Sequence, residues 1–194
     1  MRAKLIAVLL SLQASLSFGS PTSIGVFFDA DAADCDMAAQ PFTPFNVYLT
    51  AVLGTDAAGA GITAASFRVD GLADIQWSVT PNPEAVSVGS PTIGGADIGF
   101  FACTQGAGVQ RTVLLYTVLC IPQSPVSPRV VSVDRHSSPC DGYWCHHGPW
   151  VSLCDAPVFT RMVVQKGQAR INSGPCTVGA QPENWARVKS LYRG

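Results

Sequence analysis

The sequence predicts an all-β protein, an antiparallel β-sandwich with a short C-terminal helix. Three observations carry this. Between residues 23 and 172, apolar and polar residues alternate with period two in segment after segment. The segments recur at roughly ten-residue spacing, separated by Gly- and Pro-rich breaks. No stretch inside that region repeats its apolar residues at helical spacing.

The first strand is expected at Ile24–Phe28. Phe45, Val47, Leu49, Ala51 and Leu53 alternate with more polar neighbours and predict the second. Phe67 and Val69 alternate with Ser66, Arg68 and Asp70, and Ile75, Trp77 and Val79 do the same one turn later. Shorter strands are expected at Ala85–Val88 and Ile98–Cys103. Gln110 to Ile121 is apolar on both faces, the pattern of a central strand covered on each side. Val130–Val133, Met162–Gln165 and Ala169–Asn172 complete the set. The breaks between strands are Ala58-Gly59-Ala60-Gly61, Pro81-Asn82-Pro83, Gly94-Gly95, Pro122 to Pro128 and Lys166-Gly167.

Both ends differ from this middle. Arg2 and Lys4 precede an uncharged Leu/Ala/Ser-rich run from Leu5 to Phe18, and Ser17-Phe18-Gly19 offers small residues for cleavage. That order is the order of a secretory signal peptide, residues 1–19, with a mature chain beginning near Ser20. The sandwich then occupies 20–176. Residues 177–194 form a polar linker and a short amphipathic helix. In it Trp185, Val188 and Leu191 fall on one stripe, with Arg187 and Lys189 elsewhere on the wheel. This stripe is either packed on the sandwich or held out as a docking peptide for a partner.

Composition narrows the function. The chain has 194 residues and a net charge of −1; loss of Arg2 and Lys4 would lower that by two, to −3. There is no basic patch for nucleic acid, and no run in the mature chain is long and apolar enough to cross a membrane. No G-x-S-x-G, H-E-x-x-H or P-loop occurs, and only two glutamates (Glu84 and Glu183) are present. The three histidines, 136, 146 and 147, sit in one Cys-dense segment, a poor place to orient a general base. We therefore expect no enzyme.

The seven cysteines of an exported chain predict disulfides, with one left over. Strand positions suggest Cys35 with Cys103 and Cys120 with Cys154. Cys140 and Cys145 would pair locally, leaving Cys176 unmatched. The segment Cys140 to His147 keeps two further options open. Cys140, Cys145, His146 and His147 supply the thiolate and imidazole ligands that zinc takes. Cys-x4-Cys-His is also a stretched form of the covalent haem motif. Asp29, Asp31, Asp34 and Asp36 make an acidic cluster that suits either calcium or a solvated loop. Tyr143, Trp144 and Trp150 are candidate partner-binding anchors beside the Trp185, Val188 and Leu191 stripe, for a protein or a carbohydrate at the cell surface.

The chain resembles a group of uncharacterised secreted proteins of environmental bacteria. The resemblance rests on "GVFFDADAADCD" near the N-terminus, "ADIGFFACTQG" and "LLYTVLC" in the middle, and the closing W-x-x-V-K-x-L-Y-R. It implies a cohesin-like or Ig-like sandwich, an extracellular location and a Trp-x-x-Val-Lys-x-Leu-Tyr tail. It implies no substrate, and it does not extend to 134–150.

Overall fold

The structure, a computed structural model, describes residues 20–57, 59–108, 111–138, 146–154 and 160–176. The expected signal peptide and C-terminal helix lie outside these residues. Two β-sheets pack face to face over one apolar core. The first holds β12 (Gln165–Lys166), β1 (Ser23–Phe27), β3 (Phe45–Val52), β8 (Thr112–Ile121) and β5 (Gln76–Pro81), in that order. The second runs β11 (Arg161–Val163), β10 (Trp150–Leu153), β4 (Ile62–Asp70), β9 (Arg129–Asp134), β13 (Gln168–Ile171) and β2 (Asp36–Met37). Strands β7 (Gly95–Thr104) and β6 (Ala85–Ser90) extend it along the other side of β4. Pairing is antiparallel except for β1 with β12 and β13 with β2, two short parallel contacts.

The period-two pattern translates directly into burial. Val47, Leu49 and Ala51 of β3 are fully buried, as are Ile24 and Val26 of β1, and they face Phe67, Ile98, Val131 and Val151 of the second sheet. Burying a side chain of this size contributes about 1.5–3 kcal/mol each. Strand β8 departs from expectation. It is central, between β3 and β5, but its outer face is open: Leu119 is 39% exposed. Its run looks apolar on both faces because a β-bulge shifts the pairing between Leu49/Thr50, so that Val113 and Leu115 before it, and Tyr116, Val118 and Cys120 after it, all point inward. The carbonyls freed at the bulge are used. Asn82 donates its backbone N–H to Leu115 (2.9 Å) and its side-chain amide to Leu114 (2.8 Å).

Lys166-Gly167 is not a hairpin turn. It is where the chain passes from one sheet to the other. Gly167 donates to the carbonyl of Ile24 in the first sheet (2.8 Å) and accepts from the N–H of Val133 in the second (3.0 Å). A Cβ at this position would stand 2.4 Å from the Cα of Gly25, so only glycine lets the two backbones come this close.

The disulfides correct the expected pairing. Cys35 joins Cys176, and Cys103 joins Cys154. Cys120 is a buried free thiol, so it pairs with neither Cys154 nor any other cysteine. The reason is geometric. Cys120 points into the core from near the end of β8 in the first sheet. Cys103 in β7 and Cys154 just after β10 belong to the strands that flank β4 in the second sheet, and Cys35 and Cys176 meet at its far edge beside β2 and β13. Cys140 and Cys145 lie outside the described residues.

Candidate functional site

The outer face of the second sheet carries the site. Register places Val88, Asp97, Ser66, Trp150 and Val163 in one row across β6, β7, β4, β10 and β11. Val86, Gly99, Ala64, Ser152 and Arg161 form the next row on the same face. The row between them (Ser87, Ile98, Ala65, Val151) points the other way, into the sandwich, as period-two geometry requires. The middle of the outer face is therefore paved with small residues. Both ends carry bulk: Val86 and Val88 on one side, Trp150 and Arg161 on the other.

The result is a cleft of about 470 Å³. Ser66 and Asp97 lie along its floor, Val88 and Ile93 on one wall, and Trp150 and Arg161 on the opposite wall. Its end is closed by residues 136–138, which are tied to the β6–β7 turn. Ser137 donates to the carbonyl of Gly94 through both its backbone N–H (2.7 Å) and its hydroxyl, and His136 Nδ1 accepts from the N–H of Ser138 (3.0 Å). Gly95 has φ +123°, and a Cβ there would meet the His136 ring at 2.7 Å, so glycine is what lets the imidazole lie against the turn. The guanidinium of Arg161 sits 5.1 Å from the centre of the Trp150 ring, a cation–π contact that holds both side chains in place. Among the described residues, neither Asp97 nor Arg161 has an ion-pair partner.

A strongly apolar ridge adjoins the cleft. Val88 is 69% exposed, Ile93 67%, Phe101 75% and Val86 54%. Four of the seven large apolar side chains most open to solvent among the described residues thus belong to β6, β7 and the turn joining them.

The sequence-derived candidates fall as follows. Trp150 lies in this cleft, at the start of strand β10 rather than in a loop. Tyr143, Trp144, Cys140, Cys145, Trp185, Val188 and Leu191 lie outside the described residues. His146 and His147 are exposed beyond the cleft, with the His146 carbonyl accepting from Arg135 (3.3 Å). The acidic cluster does not close on itself. Asp29 caps its own loop, accepting from the N–H groups of Ala33 (2.9 Å) and Asp34 (2.6 Å), while Asp36 enters β2. Among the described residues no three His, Cys, Asp or Glu side chains converge as a metal site. Asp97, Arg161, His136 and the Val86/Val88 ridge were not singled out from sequence. Period two marks β6 as a strand, but does not say that its valines face outward.

The fold and site together define a disulfide-linked β-sandwich with a small-residue cleft and an apolar ridge on one outer face. No family model matches the chain, and no curated protein matches it in sequence. Among solved structures it is similar to the cohesin module of a family 33 glycoside hydrolase from Clostridium perfringens, at 11% identity and TM-score 0.44, covering 78% of this chain and 96% of that one. It is similar to the seventh ScaB type I cohesin from Pseudobacteroides cellulosolvens at 10% identity and TM-score 0.47, covering 83% and 98%. It is also similar to the major pilin subunit BcpA of Bacillus cereus at 8% identity and TM-score 0.40, covering 79% and 39%. At such scores these likenesses carry nothing about partner, site or activity.

Proposed function

We propose that this chain is an exported, non-catalytic interaction module that binds a partner at the cell surface or outside the cell through the outer face of its second sheet. The apolar ridge of Val86, Val88, Ile93 and Phe101 carries the proposal. Large apolar side chains left this open beside a polar cleft mark a surface that is covered in use. Two disulfides support export, since such bonds persist in oxidising compartments. So does the n-region, h-region and cleavage-site order of residues 1–19. The alternative, a zinc or haem protein built on Cys140, Cys145, His146 and His147, gains no support from the described residues.

The test expresses the full chain in a bacterial host and follows a Val88→Asp/Phe101→Asp double variant beside wild type. The exported product should begin near Ser20 and carry both disulfides. The variant should melt like wild type and lose surface attachment. A reduced cytoplasmic chain with Met1 intact overturns export. Unchanged attachment of the folded variant overturns the role of the ridge.

A further inference from the structure

We infer that the cleft between β6–β7 and β10–β11 binds a neutral carbohydrate chain, an assignment that rests on the interaction-module reading and names its ligand. The volume, about 470 Å³, falls within the roughly 300–1,000 Å³ of ordinary ligand sites. The chemistry narrows the ligand further. Asp97 and Arg161 line the cleft without an ion-pair partner among the described residues. They stand three strands apart, about 14 Å at the usual strand spacing, too far to satisfy each other. Both are exposed and hydrated in the free protein, and a ligand that donates hydrogen bonds at one end and accepts them at the other replaces that water. Between them it lies over Ser66, a small residue on the floor that offers no bulk. Sugar hydroxyls donate and accept at every ring. The C–H faces of the same rings suit the apolar walls formed by Trp150, Val88 and Ile93. One anionic and one cationic side chain leave little net charge, so a charged polymer would be attracted at one end and repelled at the other.

The floor also supplies the control. Gly99 stands two residues along β7 from Asp97 on the same face, and a Cβ there meets nothing within 4 Å, so Gly99→Phe sets a ring at the border of the floor, leaning over the cleft, without a clash in the sheet. Asp97→Asn keeps the shape and removes the charge. The probes are cellohexaose, xylohexaose, mannohexaose and chitin hexaose, with hexagalacturonate as the acidic contrast, titrated calorimetrically into the exported full-length protein. At least one neutral hexaose should bind. Gly99→Phe should abolish that binding, and Asp97→Asn should weaken it about tenfold, the scale of a hydrogen bond to a charged group. Thermal melts of both variants should match wild type. Failure of every neutral hexaose, binding that survives both variants, or preference for hexagalacturonate each overturns the assignment. If the hexaoses fail while Val88→Asp/Phe101→Asp still loses surface attachment, the interaction-module reading stands and the carbohydrate reading falls.

Discussion

The hydroxyl of Tyr116 lies 2.6 Å from Oγ of Ser87 and joins β8 of the first sheet to β6 at the border of the second. Tyr116 is 1% exposed and points inward because the β8 bulge turns it there; its ring meets Phe67 edge-on at 5.8 Å. Burial raises its phenol pKa, partly offset by the bond to Ser87, so the pair stays protonated and neutral at physiological pH.

Tyr116→Phe keeps the ring and its packing but strands the Ser87 hydroxyl. It should cost about 1–2 kcal/mol, whereas Tyr116→Phe/Ser87→Ala should recover part of that loss. Chemical denaturation of the single and double variants checks this. With Ser87→Ala completing the cycle, a double variant whose cost equals the sum of the two single costs would show that the hydrogen bond contributes nothing beyond its two partners taken separately.

Cys103–Cys154 closes a loop of 51 residues between the strands that flank β4. On chain-entropy grounds its removal should cost about 2–4 kcal/mol, or roughly 5–15 °C in a domain of this size. Cys103→Ser/Cys154→Ser should melt that much lower by calorimetry. Cys35→Ser/Cys103→Ser, by contrast, breaks both bridges and should be the less stable of the two.

Burial raises the Cys120 thiol pKa to about 12. The native protein should therefore leave Cys120 unmodified by iodoacetamide at pH 8, and denaturant should expose it. Mass mapping of the tryptic peptide 112–129, which holds this cysteine alone, reads the result. Rapid native alkylation there would show that β8 opens locally.

Side-chain hydrogen bonds from Arg129 hold the Asp74 carboxyl below its usual range. At Asp134, burial acts upward but is outweighed by Lys166 at 2.6 Å, the Arg135 N–H and Arg68, and the net direction is again down. A lowered carboxylate pKa stabilises the fold above the unfolded value and loses that contribution as pH falls through the folded value. The melting temperature should hold from neutral pH to about 5 and fall below about 4. Asp74→Asn should cost about 0.5 kcal/mol at pH 7, since the pair is largely solvated, and its difference from wild type should vanish at the lowest pH. A constant difference across the range would rule the ion pair out as its source.

Deleting 180–194 should leave the sandwich folded, because both disulfides and the whole described core precede that segment. We expect a melting temperature within a few degrees of wild type and a change in where the protein ends up. Trp185→Ala should act like the deletion, Trp being the largest apolar group on the stripe. A drop of more than about 10 °C would place the segment in the fold.

The alternation of Val47, Leu49 and Ala51, the spacing of the breaks and the low charge made an all-β sandwich legible from sequence, since period two is imposed by the strand itself. Strand β10, only Trp150–Leu153, was hidden at the end of a Cys/His-rich stretch, and β2 was too short to show a period. Lys166-Gly167 read as a turn because glycine marks any backbone irregularity. That it is a sheet-to-sheet crossing depends on Ile24 and Val133, which lie far away in the chain.

Local chemistry, then, was sufficient for the fold class and for the longer strands. Tertiary structure decided the disulfide partners and the site, because both depend on which strands become neighbours. Cys103 meets Cys154 only once β4 stands between β7 and β10. Asp97, Ser66 and Trp150 become one row by the same pairing, although 31 and 84 positions separate Ser66 from the other two. Which face of β6 carries its valines was likewise set by the inward partners of Ser87 and Ile98. No periodicity within Ala85–Ser90 records that choice.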